Sequence, residues 1–251
     1  MTTDTAQTER VTVETETLRE LITPVRFVLW DLDGPICRLF AGLPARTAAR
    51  ELVELIEARG LNGVLTDEQR AAVDPHVQLL AVHRRHPGSD LALEMEKRLT
   101  RHELNAVPTA YPTAYADPLI RTWSTLARFA LTTNNSPLAA ARYIESRGLT
   151  GCFPYIYGRT QDLDLMKPNP HTLRQALNAM GADPTCTLMI GDAPTDFEAA
   201  EKAGISFLGY ARNEKKREEL MKARVRPGHI VNSLARVIEV LPQYGPLGVA
   251  N

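Results

Sequence analysis

The sequence predicts an α/β fold: a parallel sheet with helices on both faces and an all-helical module inserted after the first strand. Three observations carry this. Short apolar runs rich in β-branched and aromatic residues recur along the chain. From the second run onward a helical pattern separates each run from the next, which is the mark of βαβ units. Between the first and second runs, a long interval carries helical patterns and no convincing strand.

Taken in order, residues 1–24 are rich in Thr and Glu, and their apolar residues are too sparse to hold a core face, so a flexible or weakly helical tail is expected. "VRFVLW" (25–30) reads as the first buried strand. Helical patterns follow at 44–60, which ends in Gly, at 66–86, divided at Pro75, and at 89–104, which opens on a good cap at Ser89. The proline-punctuated "VPTAYPTAYADP" (107–118) reads as the return linker. Further strands are expected at 128–132, 155–158, 187–190 and 206–210, with helices at 137–148, 170–181 and 194–204 that start at Pro and end in Gly. The charged "ARNEKKREEL" (211–220) reads as a solvated helix face. The expected organisation is therefore a tail (1–24), a catalytic core (25–40 and 117–251) and a helical cap (41–116).

Composition bounds the function classes. At 251 residues and 44% hydrophobic content the chain can bury an ample core. Its formal charge of −1 gives no general attraction to nucleic acid or to a membrane surface. No apolar stretch approaches the ~18 residues of a membrane span, and the N-terminal residues lack a signal-peptide core. Cys37, Cys152 and Cys186 are odd in number and widely spaced, which argues for a reducing compartment. A cytoplasmic protein is expected, with no membrane and no nucleic acid as partner.

Four stretches carry chemistry. In "DLDG", Asp31 and Asp33 are two residues apart after the first strand, so both can project from its carboxyl end, where open α/β sheets place their sites. Taken alone, two acids and a Gly are more often turn formers. In "TTNNSP", Thr133 and Asn134 precede a helix N-terminus at Ser136–Pro137, offering a hydroxyl and unpaired backbone N–H groups to an anion, although an ordinary N-cap has the same residues. In "LMKPNP", Lys167 is a compact positive charge suited to a phosphoryl group. In "GDAPTD", Asp192 follows a buried strand, and Asp196 lies near the same face of the next helix's first turn. Two strand ends thus present four acids. Like charges that close need a proton or a cation, and the set suits Mg²⁺, which takes carboxylates, waters and substrate phosphate oxygens.

In that order, DLDG, TN, KP and GDAPTD resemble the four motifs of the haloacid dehalogenase superfamily, and the helical segment resembles the cap of the subfamily that inserts one between its first two motifs. The resemblance spans residues 25–210. It implies a Rossmann-like core and a Mg²⁺-dependent phosphomonoester hydrolase acting on a small phosphorylated metabolite. By the same resemblance Asp31 is the nucleophile that forms an aspartyl-phosphate, and Asp33 is the general acid and base. Thr133 with the Asn134 amide grips the phosphate, and Lys167 steadies nucleophile and phosphate. Asp192 is a metal ligand beside Asp31 and the Asp33 carbonyl, and Asp196 is a ligand through water or an orienting partner.

Other members and other classes remain as alternatives. A phosphosugar mutase shares the core chemistry, and a receiver-type signalling or binding module shares a phospho-accepting Asp, a Thr, a Lys and Mg²⁺. For substrate choice, Arg38 is placed to read an anionic group and Phe40 to line the pocket, while "HRRH" (83–86) reads as the basic end of a helix. No function is attached to His76, His102, His171 or His229.

Overall fold

The computed structural model describes residues 14–242. Residues 14–22 form helix α1, where the tail was expected. Leu18 and Ile22, four residues apart on one helix face, are buried in the main core. Two apolar side chains suffice because the sheet face beneath them is already built. The rest of the expected tail, residues 1–13, lies outside the described residues.

Strand β1 (Phe27–Trp30) leads into a short strand β2 (Cys37–Arg38). Four helices follow, α2 (Ala45–Ala58), α3 (Asp67–Ala71), α4 (Pro75–Arg85) and α5 (Asp90–Ala106). The division at Pro75 is where the sequence places it: Pro75 opens α4, with the Asp74 side chain capping it through the His76 amide. Thr66 and Gln69 form a capping box on α3. The chain returns through strand β3 (Tyr111–Pro112), which pairs antiparallel with β2 and closes the insert with a two-stranded stem that the sequence pattern did not signal.

The alternation then begins with α6 (Ala116–Trp123), β4 (Arg128–Thr132), α7 (Pro137–Ser146), β5 (Tyr155–Tyr157) and α8 (His171–Met180). It continues with β6 (Thr187–Gly191), α9 (Pro194–Ala203), β7 (Ser206–Tyr210), α10 (Glu214–Lys222), β8 (Ile230–Val231) and α11 (Ala235–Val240). Six strands form one sheet in the order β5-β4-β1-β6-β7-β8. Every pairing in it is parallel, with Leu29 of β1 opposite Ala130 on one side and Met189 on the other.

The period-two alternation of β1 explains the layering. Val28 and Trp30 face a core shared with α1, α6, α7 and α11, where Trp30, Trp123 and Phe129 meet edge to face at 5.8–6.4 Å. Leu29 faces the opposite core, with α8, α9 and α10. The insert has a third core between α2, α4 and α5, joined by Leu163 and Met166 from the loop after β5. Central in the sheet and flanked on both sides, β1 delivers its carboxyl end to the crevice between sheet and insert.

Candidate active site

Asp31 follows the last residue of β1, and its backbone N–H still donates to Ile190 in β6 at 2.9 Å. The strand pairing therefore fixes where its carboxylate points. Asp33 is held from the other side: Leu39 N donates to its Oδ1 at 2.9 Å, and Gly34 N donates to Cys37 O at 2.6 Å. Between them Gly34 adopts φ +125°, and a Cβ there would sit 2.5 Å from Asp192 Cγ. The glycine lets the first loop close against the acid of the fourth motif.

Asp192 follows β6. Asp196, on the first turn of α9, accepts from the Asp192 and Ala193 amides through Oδ2, both at 3.1 Å. Its Oδ1 lies 2.6 Å from Lys167 Nζ. Both Asp196 oxygens are thus engaged by the protein. Lys167 Nζ, almost fully buried, also donates to Asp31 Oδ1 at 2.8 Å and to the Thr132 carbonyl at 2.9 Å.

The second motif is arranged differently from the expectation. Asn134 braces the lysine loop: its Nδ2 donates to Lys167 O at 3.0 Å, and its Oδ1 accepts from Lys167 N at 2.8 Å. The Thr133 hydroxyl donates to Asn135 Oδ1 and accepts from Asn135 N, both at 3.1 Å. Asn134 and Asn135 line the crevice, a cavity of about 320 Å³, together with Asp31, Asp33, Lys167, Asp192 and Asp196. Phe40 lines it as well. Arg38 lies in the adjoining cleft, which shares Asp33, Phe40 and Arg212 with the first; its guanidinium stacks 4.9 Å over the Tyr111 ring.

Carboxylate oxygens of Asp31, Asp192 and Asp196 lie within 4.8 Å of one another, all three residues buried. The electrostatics follow from that crowding. Burial, opposed by Lys167 and reinforced by Asp196 and Asp192, pushes Asp31 up to about 7. Burial likewise raises Asp33 to about 6 against the Leu39 hydrogen bond. Asp192 is raised to about 6 by burial and Asp196, against the pull of Lys216. Burial alone would lower Lys167, but Asp196 and Asp31 outweigh it and push it up to about 12. The lysine is a fixed cation, whereas Asp31, Asp33 and Asp192 bind protons more tightly than free carboxylates do.

Several residues at the site carried no such signal in the sequence. Lys216, on the helix read as a solvated face, lies 3.0 Å from Asp192 Oδ2, and with Arg212 it lines the crevice. His76, at the start of α4, also lines it and sits 3.1 Å from the Asn134 carbonyl. Beneath these, Arg159 crosses from the core into the insert with its side chain fully buried. It makes a two-pronged pair with Glu103 of α5 at 2.8 and 2.9 Å and donates to Asn134 O at 3.0 Å. Glu103 in turn accepts from Asn135 Nδ2 at 3.1 Å and from Ser136 N at 2.9 Å. The second motif is therefore seated on a buried ion pair whose acid comes from the insert.

Residues 165–237 match the family model described as HAD-hydrolase-like. The chain is 28% identical over 225 residues to a phosphoglycolate phosphatase of Neisseria meningitidis, an alignment covering 86% of this chain and 94% of that one. It is 37% identical over 87 residues to a dihydroxyacetone phosphatase of Corynebacterium glutamicum, covering 34% of this chain and 29% of that protein. Among solved structures, a HAD-superfamily hydrolase of subfamily IA from Geobacter sulfurreducens superposes with TM-score 0.56 at 18% identity, covering 87% of this chain and 97% of the other. A haloacid dehalogenase-like family protein from Streptococcus pneumoniae gives 0.62 at 16% identity, with coverages of 86% and 98%. At these identities the superpositions establish the fold.

Proposed function

We propose that the chain is a haloacid dehalogenase-like hydrolase, as the family match over residues 165–237 and the shared fold support, and that it is a Mg²⁺-dependent phosphomonoester hydrolase working through a phosphorylated Asp31. The observation that carries the reading is the convergence of Asp31, Asp33, Asp192 and Asp196 with Lys167 at the carboxyl ends of β1 and β6. An all-oxygen cluster of buried acids, in which Asp31 and Asp192 are held above the ordinary carboxylate range, fits a hard dication. Asp31, Asp192 and the Asp33 backbone carbonyl would hold Mg²⁺, with Asp196 orienting; when bound, the ion supplies charge neutralisation for the transferring phosphoryl group.

The residues of the chain do the rest. An Asp31 oxygen attacks phosphorus as the ester P–O bond breaks, and Asp33 gives its proton to the departing oxygen. Its raised pKa of about 6 suits a group that must hold a proton near neutrality. Asp33 then takes a proton from water as that water attacks the phosphorus of phospho-Asp31; the bond from phosphorus to the Asp31 oxygen breaks, inorganic phosphate leaves, and the chain returns to an ionised Asp31 and a protonated Asp33. Lys167 stays charged throughout and offsets the repulsion between the Asp31 carboxylate and a phosphate dianion. The backbone of the loop at Asn134 and Asn135 borders the place where the phosphate oxygens sit.

We assign the substrate to small phosphate esters with a second anionic group. Arg38, Arg46 and Arg212 line the cleft beside Asp33, the side from which the leaving group departs. Like the phosphoglycolate phosphatases it resembles, the chain would then act on a phosphorylated small acid. The three cysteines are free, which suits the cytoplasmic setting we assign; among the described residues no helix is long and apolar enough to cross a membrane.

The test is phosphate release from a panel of small esters, with and without Mg²⁺, by wild type, Asp31→Asn and Asp33→Asn. Mg²⁺-dependent turnover that both substitutions abolish or cripple supports the reading. Isomerisation of a phosphosugar without phosphate release, or a long-lived phospho-Asp31, would sink it.

A further inference from the structure

A second cluster lies away from the catalytic acids, where the insert meets the loop that leads to Lys167. His83, on α4, is 6% exposed, and its Nε2 is buried with no hydrogen-bond partner. An orphaned imidazole nitrogen at such depth is costly, since it gives up water and receives nothing in return. It points at two carboxylates on the core side. Asp164 Oδ2 is 3.4 Å away, beyond a well-formed hydrogen bond, and Asp162 sits two residues earlier. One ligand atom from each of His83, Asp162 and Asp164 lies within 4.8 Å of the other two.

The two acids are themselves positioned. Asp162 caps the short turn Leu163–Leu165 by accepting from Asp164 N through Oδ1 at 3.2 Å. Leu163, between them, is buried in the core of the insert. The turn is thereby anchored against α2, α4 and α5 with its carboxylates facing His83, and both carboxylates keep an open side to solvent through which an ion can enter.

We propose that His83, Asp162 and Asp164 form a site for a first-row transition dication of the Zn²⁺ class, separate from the catalytic cluster. One imidazole nitrogen and two carboxylate oxygens are the donor set such ions take, with water completing the coordination. Two acids and a neutral imidazole also match a dication in charge. The catalytic cluster offers oxygen alone and suits Mg²⁺, so the two sites differ in preference. Binding would tie α4 of the insert to the turn that ends two residues before Lys167.

The full-length protein, with millimolar Mg²⁺ present to occupy the catalytic cluster, would be titrated with Zn²⁺ by calorimetry beside His83→Asn and Asp164→Asn. The expected result is a Zn²⁺ site in wild type that weakens at least about tenfold in each variant. Mg²⁺-dependent phosphate release without Zn²⁺ would be unchanged in both. Asp164 is exposed, so its substitution keeps the test meaningful where His83→Asn fails to fold. Co²⁺ gives a second readout: its visible spectrum should report nitrogen ligation in wild type and lose it in His83→Asn. Zn²⁺ affinity equal in wild type and Asp164→Asn, or no Zn²⁺ binding by wild type beyond that of the His83 variant, would overturn the proposal.

Discussion

Replacing Arg159 by Met is the most informative perturbation of the scaffold beneath the site. The substitution keeps an unbranched, apolar stem and removes the guanidinium from a place where both it and the Glu103 carboxylate are fully buried. Glu103 would keep two donors, Asn135 Nδ2 and Ser136 N, and lose two. Removing one partner of a buried ion pair costs about 3–5 kcal/mol, because the remaining charge is left uncompensated. The lost bonds to Thr100 and Asn134 belong to the same network and do not add independently. For a chain of this size the melting temperature should fall by about 6–20 °C.

The pH dependence sharpens the test. In wild type, burial would raise Glu103, but Arg159 outweighs it and holds the carboxyl below its ordinary value of 4.5. A lowered acid contributes stability that is present above its unfolded pKa and lost as pH falls through the folded one. In Arg159→Met burial is left to raise Glu103, so the variant should lose stability as pH rises above about 4.5 while wild type does not, and the gap between them should widen toward neutrality. Urea unfolding at pH 5 and pH 7.5 measures this directly. The double variant Arg159→Met/Glu103→Leu removes both charges and should recover most of the loss. A single-variant cost below about 1 kcal/mol, or additive costs in the double variant, would refute the argument from an uncompensated charge.

Asp31→Asn should abolish phosphate release, and Asp33→Asn should lower kcat by about 10²–10⁴-fold, the usual worth of a positioned proton donor; steady-state assays with a common ester decide it. In the metal-free protein Asp31, Asp33 and Asp192 bind protons more tightly than in the unfolded chain, so stability should fall as pH rises from about 4 to 7; Mg²⁺ should stabilise more at pH 7.5 than at pH 5 in thermal melts, and a pH-independent increment would contradict this. Gly34→Ala places a methyl against Asp192 at a φ that side chains resist, and should cost about 1–3 kcal/mol together with weaker Mg²⁺ binding, read by urea melts and isothermal titration. Arg212→Gln should raise KM about fivefold for a phosphorylated carboxylic acid and leave that for an uncharged alkyl phosphate unchanged; equal shifts for both would remove Arg212 from substrate reading.

The sequence was legible where function depends on local order. Strands 128–132 and 206–210 occur as the apolar runs mark them, because a buried parallel strand is a contiguous hydrophobic segment. The acids and Lys167 were legible because each follows a strand or punctuates a loop. What stayed hidden depends on pairing at a distance. Arg159 and Glu103 are 56 residues apart and have no periodic relation, and either reads as surface charge in isolation. Lys216 lies on a helix with seven charged residues among nine, where nothing distinguishes the one that turns inward. His83 was grouped with a basic helix end, yet only Arg84, Arg85 and His86 of that run are exposed. Strand β8 spans two residues, too few for alternation to register.

The pair of carboxylates at the end of β1 is part of an imbalance of charge. Four acids converge, and the ammonium groups paired with them are those of the buried Lys167 and the partly exposed Lys216. With Asp31 raised to about 7, a large share of the nucleophile is in its acid form at neutral pH, in which it cannot attack phosphorus. Lys167 does not relieve this, because it is divided between Asp31, Asp196 and the Thr132 carbonyl. With Asp33 protonated, the three remaining acids still outnumber the two lysines, so a phosphate dianion would meet net repulsion unless further positive charge were present. Asp31 and Asp192 would hold a dication there, and its charge would offset that of the acids. On the proposed reading, the crowding of the carboxylates would make catalysis conditional on Mg²⁺, because a bound dication would favour the ionised form of Asp31 and offset the repulsion that a phosphate dianion meets.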